Sequence, residues 1–175
     1  SDESNVLGRN LIRSQAVGTG PVLPVEGTRA AMLVRANTLA KGFSGIRLEV
    51  IETLVEMLNK GVTPVVPSQG SLGSSGDLCP LSHMALVLTT DEKDLESESG
   101  FAEFEGQVYT GKVAMEKAGI KRIILGPKEG LAINNGATFS AAIGAISVFD
   151  SNYLVELADR AIAMTLEVLL GCSGA

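Results

Sequence analysis

Residues 70–84 read GSLGSSGDLCPLSHM, a small and polar run that passes directly into an apolar segment. The common glycine-loop chemistries do not fit it. A phosphate-binding loop requires Gly-Lys-Ser/Thr and this run has no lysine; a nucleophile elbow requires Gly-x-Ser-x-Gly, but Ser75 is followed by Gly76 and Asp77. An anion nest at the following helix N-terminus stays open, because free N–H groups there attract negative charge. A flexible turn is the plain alternative. Ser74-Ser75-Gly76 also permits a more specific chemistry. Glycine has no Cβ, so the Gly76 nitrogen can approach the carbonyl two residues back in a turn that other residues would block. If it bonds to the Ser74 carbonyl carbon, a five-membered ring closes. Loss of water from that ring and from Ser75 then leaves an exocyclic methylidene, a strong electrophile of a kind that otherwise requires a cofactor.

The elements around this loop are mostly helical. TRAAMLVRANTLAKGF, residues 28–43, places Leu33, Ala36, Ala40 and Phe43 on one side and lets Arg35 and Lys41 reach solvent. IRLEVIETLVEMLNKG repeats the pattern with Ile51, Leu54, Val55 and Leu58, and Gly61 is placed to stop it. VTPVVPSQG must be extended, since each proline pushes its predecessor out of the α region. DLCPLSHMALVLTT predicts a core helix with Asp77 as its cap and Pro80 tolerated in the first turn. The acidic run at 91–99 reads as a solvated loop without chemistry. FAEFEGQVYTG predicts a small hairpin, KVAMEKAG a short helix and IKRIIL an extended segment. Residues 136–170 predict a helix of about 50 Å, with Leu154, Leu157, Ala158 and Ala161 on one face and apolar residues on the other. This chain alone does not cover such a helix, which implies a larger bundle or an oligomer. The expected fold is therefore mainly α: a helical bundle with a long central helix, a small β-hairpin insertion and the Gly-Ser loop at a helix N-terminus.

Composition narrows the function. The chain has 175 residues, 45% of them hydrophobic and only 4% aromatic, with net charge −6. Its basic residues are scattered, which argues against nucleic acid as a partner. Cys79 and Cys172 form no Cys-x-x-Cys pair, and His83 is the single histidine, so no metal site is expected and a reducing cytoplasm is the natural location. The uncharged run 130–149 contains Asn134, Asn135, Thr138, two serines and three glycines. It reads as a buried helix rather than a membrane span. The chain opens on SDESNVLGRNLIRSQ without methionine and closes on LLGCSGA directly after helical periodicity, so it is expected to be one segment, 1–175 without internal boundary, of something longer.

GSLGSSGDLCPLSHMALVL resembles the signature of the histidine and aromatic amino acid ammonia-lyase family, whose Ala-Ser-Gly tripeptide cyclises to 4-methylidene-imidazol-5-one (MIO). TRAAMLVRANTLAKGFSGIR, MLNKGVTPVVPSQGS and KEGLAINNG resemble further family segments in the family order, so the likeness spans nearly the whole chain. It implies that Ser74 and Gly76 contribute the ring and Ser75 the methylidene, with Ser74 standing where alanine is usual. It makes Asp77 and the helix beside it a supporting shell, and Asn135 a contact to substrate or prosthetic group. After Asn135 the family more often continues Gly-Thr-Gln, whereas this chain reads Gly136, Ala137, Thr138. His83 falls where histidine and tyrosine lyases commonly carry histidine. As a lone histidine on an apolar helix it reads as a hydrogen-bonded core residue supporting the site, not as the general base. Cys79 reads as a small buried apolar residue.

The resemblance implies elimination of ammonia from an amino acid to give an α,β-unsaturated acid, in a homotetramer without metal. Tyr109 and Tyr153 do not match the family's base, and its carboxylate-binding arginine has no match before residue 175. PLSHMALVL and PVVPSQGSLGSSGDL read closest to histidine lyases, while TRAAMLVR and FSGIRLEV lean to the aromatic branch. L-Histidine to urocanate is thus the first reading, and a tyrosine or phenylalanine lyase or aminomutase the second. A third is an inactive helical assembly segment with an uncyclised loop.

Overall fold

The structure is a computed structural model that describes residues 2–72, 75–172 and 174, with the backbone alone at 2–4. Helices dominate it, as the aliphatic composition requires. The order is α1 (Asp2–Gln15), β1 (Thr19–Val22), α2 (Val25–Ala40), α3 (Leu48–Lys60), β2 (Thr63–Pro64), β3 (Pro67–Gln69), α4 (Leu78–Leu88) and β4 (Thr89–Thr90). A 3-10 turn at Glu96–Glu98 leads to β5 (Phe101–Phe104), β6 (Gln107–Thr110), α5 (Gly111–Lys117), β7 (Ile123–Ile124), α6 (Glu129–Asn134) and α7 (Thr138–Val168). The strands are short and serve as ties. β1 pairs antiparallel with β3, β2 and β6 flank β5, and β4 runs parallel to β7. The predicted hairpin is β5–β6, with Phe104 opposite Gln107.

The chain divides into two units, Ser1–Ala142 and Ile143–Ala175. The first holds a core of Met32, Val50, Leu54, Met57, Leu81, Met84, Leu88, Met115 and Ile133, all fully buried. Methionine fills irregular gaps between helices well, which suits a core with so few aromatics. The second unit is helical, and its large apolar residues are exposed, among them Phe149, Leu154, Ile162 and Leu166. By length and composition alone the run Glu129–Val168 is apolar enough to cross a membrane. It carries Asp150, Glu156, Asp159, Arg160 and Glu167 along its second half, charges that hydrocarbon penalises.

Several expectations need correction. In α2 the buried face is Gly27, Thr28, Ala31, Met32, Arg35, Ala36 and Leu39, while Leu33 is exposed and Phe43 is 93% exposed. Arg35, expected at the surface, is 2% exposed. In α3 the buried residues are Val50, Thr53, Leu54 and Met57, one step round from the predicted stripe. Gly61 does close that helix, at φ 78°. The run 130–149 is not one buried helix: α6 ends at Asn134, α7 starts at Thr138, and burial in α7 is confined to Thr138, Phe139 and Ala142.

The acidic loop is more than solvated. Asp94 accepts from Arg122 Nη1 at 2.5 Å and pairs with Lys112 at 3.0 Å. Arg122 in turn donates to the carbonyls of Leu86, Val87 and Thr89 at the end of α4, where carbonyls lack helical partners and a cation meets the negative end of the helix. At the start of α6, Glu129 plays the opposite part. Its carboxylate accepts from Arg47 N and Nε at 2.9 Å, Arg47 Nη2 at 2.8 Å and Gly126 N at 2.6 Å. Burial pushes this carboxyl up, but the hydrogen bonds from Arg47 and the two amides outweigh it and leave the net shift downward. These two ion clusters fix the ends of α4 and α6, the helices that present the Gly-Ser loop and the Asn135 turn.

Candidate active site

Two chain segments meet at the predicted site. One is the loop leaving β3, which passes Ser71, Ser75 and Gly76 into α4. The other is the three-residue break between α6 and α7, Asn135-Gly136-Ala137. Each runs into a helix N-terminus, so each segment must satisfy the unpaired backbone groups of a helix end as well as its own.

The segments touch backbone to backbone. Gly76 has φ +92°, and a Cβ built on it would lie 2.9 Å from Gly136 N, 3.0 Å from its carbonyl carbon and 3.1 Å from its oxygen. Only glycine fits there, for both torsion and space. Hydrogen bonds fix the residues on either side. Asn135 Nδ2 donates to the Ser75 carbonyl at 3.2 Å, and the Asp77 N–H donates to the Gly136 carbonyl at 2.8 Å. Ser75 and the Asn135 side are exposed, so this junction faces outward, whereas Asp77 beneath it is 1% exposed.

Asp77 occupies the N-cap position of α4 but makes no side-chain bond to that helix. The expectation of a cap on its own helix is thereby corrected. Its Oδ2 accepts from Ser140 N at 2.9 Å, and its Oδ1 from Ser140 Oγ at 2.9 Å and Ser71 Oγ at 2.7 Å. Ser140 lies in the first turn of α7, where N–H groups are unpaired and the helix end is positive, so a carboxylate from another element is held there strongly. Asp77 thus ties both arms of the glycine loop to α7.

His83 sits one and a half turns along α4. Its Nε2 accepts the Gly18 N–H at 3.0 Å, which fixes a neutral ring protonated at Nδ1 and anchors the chain entering β1. Among the described residues no hydrogen bond joins it to Ser75 or Gly76; it is a half-buried residue bonded to Gly18. Burial lowers its pKa below the usual 6.5. A histidine depressed in the folded state stabilises while neutral, so its contribution is whole above about pH 6.5 and is lost as pH falls through the lower folded value. Melting temperature is expected to fall across that interval, and His83→Gln to remove that part of the decline. Cys79, on the same helix, is 5% exposed, and burial pushes its thiol up, consistent with an inert packing residue.

Ser74 lies outside the described residues. Of the other expected positions, Ser75, Gly76, Asp77 and Asn135 come together at one junction, while His83 lies further along α4, bonded to Gly18. Sequence reasoning missed Arg35, Gly136, Ser71 and Ser140. Arg35 Nη2 donates to the carbonyls of Ala132 and, at 2.8 Å, Asn135; Nη1 donates to Thr138 Oγ1 at 3.3 Å. Thr138 thus fills a polar role at the point where the chain departs from the family pattern. A buried arginine in an apolar helix was the available signal, and spacing alone does not show which side of α2 is inward.

Comparison with known proteins places the chain in a family. A family model described as aromatic amino acid lyase matches residues 1–175. The chain is 50% identical over 170 residues to the histidine ammonia-lyase of Alkaliphilus metalliredigens, covering 97% of this chain and 32% of that protein. Its fold matches the phenylalanine ammonia-lyase of the yeast Rhodosporidium toruloides with a TM-score of 0.90 at 32% identity, over 98% of this chain and 28% of that one. It matches the histidine ammonia-lyase of Trypanosoma cruzi with a TM-score of 0.85 at 36% identity, over 95% and 31%. The chain therefore spans about a third of the length of the curated relatives it matches. With the family model matching from end to end and the helical architecture shared, this chain belongs to the aromatic amino acid lyase family.

Proposed function

We propose that this chain is the segment of a longer ammonia-lyase that supplies the MIO precursor, and that the complete protein eliminates ammonia from L-histidine to give urocanate. The observation that carries the reading is the glycine-on-glycine junction, in which Gly76 is held at φ +92° against Gly136 while Asn135 grips the Ser75 carbonyl. These residues fit an MIO group: the Gly76 nitrogen has no side chain beside it, and the Cβ position that any other residue would use is filled by the Gly136 backbone. When formed from residues 74–76, MIO supplies an electron-poor methylidene able to make an amino group a better leaving group. The chain's own residues supply the frame. Asp77 fixes the loop to α7, and Asn135 offers an amide N–H at the Ser75 carbonyl.

Histidine as substrate is supported by the 50% identity to a protein named histidine ammonia-lyase. The second reading, a phenylalanine or tyrosine enzyme, is favoured by the fold's likeness to the yeast phenylalanine ammonia-lyase. Assay of the complete protein with histidine, tyrosine and phenylalanine, following the unsaturated acid by absorbance, separates them. Turnover of histidine at least about tenfold above the others in kcat/KM is expected, a difference of about 1.4 kcal/mol in transition-state binding. Preference for phenylalanine or tyrosine would shift the reading to the aromatic branch.

The reading includes self-association to a homotetramer and a cytoplasmic location. Exposed Ile143, Phe149, Leu154 and Ile162 on the second unit support the first, since so large an apolar surface calls for cover. The two free cysteines suit the second.

A further inference from the structure

We infer that Arg35 is the positioning residue that sets Ser75 and Gly76 for ring closure, acting through Asn135 and Gly136; this rests on the reading that residues 74–76 cyclise. Arg35 stands on α2, far in sequence from both segments of the site, and is 2% exposed. Its two Nη groups reach three acceptors: the carbonyls of Ala132 and Asn135 at the end of α6, and Thr138 Oγ1 at the start of α7. The two carbonyls lie where α6 stops and helical partners run out, and a cation suits that negative end. One guanidinium fork therefore joins the end of α6 to the start of α7. The residues between them cannot shift without breaking it.

Gly136 lies directly on this fork, so closely that a Cβ there would come within 2.4 Å of Arg35 Nη1. Gly76 lies on Gly136 in the same way, at 2.9–3.1 Å. In the stack Arg35, Gly136, Gly76 the last two layers meet backbone to backbone, so the placement of the guanidinium bears on the Gly76 peptide through Gly136. Ser75, Gly76 and Asp77 are each fixed by Asn135 or Gly136, and those two are fixed by Arg35. Arg35 Nε is buried and has no hydrogen-bond partner among the described residues. The fold thus leaves one donor of a buried cation unpaired while keeping the other two nitrogens on the turn that bears on the tripeptide. A lysine would keep the charge but not the planar fork that holds three acceptors in fixed directions.

The step that depends on this placement is internal and redox-neutral. The Gly76 nitrogen bonds to the Ser74 carbonyl carbon. That carbonyl's oxygen leaves as water with the amide protons of Gly76 and Ser75, and the Ser75 hydroxyl leaves as a second water with its α-hydrogen. No oxidant or added reagent enters. An error of about 1 Å in the Gly76 peptide would slow that attack about a hundredfold.

The test follows intact mass over time in the freshly made complete protein, with melting temperature and circular dichroism recorded alongside. Wild type is expected to reach a mass two waters below that of its sequence. Arg35→Lys is expected to keep the fold but acquire the deficit about a hundredfold more slowly at temperatures well below its melting point. A merely structural role would lower the melting temperature and leave that rate alone. Arg35→Lys maturing at the wild-type rate overturns the inference. Should Arg35→Lys not fold, Thr138→Val removes one acceptor while keeping the buried cation; it is expected to slow the deficit about tenfold, and a wild-type rate there overturns the inference equally. Wild type without any deficit would instead overturn the cyclisation reading, and this inference with it. A normal deficit in wild type and both variants overturns only the role of Arg35.

Discussion

Gly76→Ala in the complete protein is expected to show neither the two-water mass deficit nor lyase activity above about one thousandth of wild type. The added Cβ would meet three backbone atoms of Gly136 within 3.1 Å, and backbone atoms cannot step aside as a flexible side chain can. At φ +92° the alanine would also be strained by about 1–3 kcal/mol even in open space. Both pressures act on the nitrogen that must attack. Either Gly76 rotates away from Gly136, breaking the Asn135 and Asp77 contacts, or the α6–α7 turn retreats from Arg35. Neither leaves Ser75 and Gly76 in their present grip, and without the electrophile only residual binding effects remain. Intact mass and the urocanate assay check this together. A fully matured, active Gly76→Ala protein would show that the close approach has no part in the chemistry.

Asp77→Ala is expected to give the largest loss of stability, about 3 kcal/mol, read as a shift of the urea unfolding midpoint. The carboxylate is 1% exposed and accepts three hydrogen bonds, one from a backbone N–H in the first turn of α7. Alanine leaves that first-turn N–H of α7 and two serine hydroxyls without their acceptor, which is the costly way to lose a hydrogen bond. Asp77→Asn keeps the shape and one acceptor but loses the charge at the helix end, and is expected to cost about 1 kcal/mol. An alanine variant no weaker than an ordinary surface substitution, within about 0.5 kcal/mol, would contradict this role.

These expectations also mark how far the sequence could be read. The hairpin around Gly106, the glycine stop at 61 and the extended proline segment depend on local chemistry, and the fold has them where that chemistry put them. Rotation of a helix is another matter. In α2 apolar or small residues lie on most sides, so periodicity indicates a helix without fixing its buried face, and Arg35 goes inward because carbonyls and a hydroxyl far along the chain await it. In α3 a broad apolar stripe admits two rotations one residue apart, and packing selected the one through Val50 and Met57. Asp77 illustrates the same limit at a cap: its type and position are local signals, but the donors that claim it sit on α7. The break at residues 135–137 was hidden because Asn135 and Gly136 stand in an uncharged run whose composition suits a continuous helix. What interrupts it is the grip of Arg35 on one side and Gly76 on the other.

On the cyclisation reading, residues 74–76 become a backbone electrophile, with Ser75 and Gly76 held against Asn135 and Gly136. Intact mass of the complete protein, beside that of its Ser75→Ala variant, tests it most directly. Wild type is expected to be lighter than its sequence by two waters, and the variant to lose at most one and be inactive. Wild type at its plain sequence mass, or a Ser75→Ala protein that still releases urocanate at the wild-type rate, would contradict it.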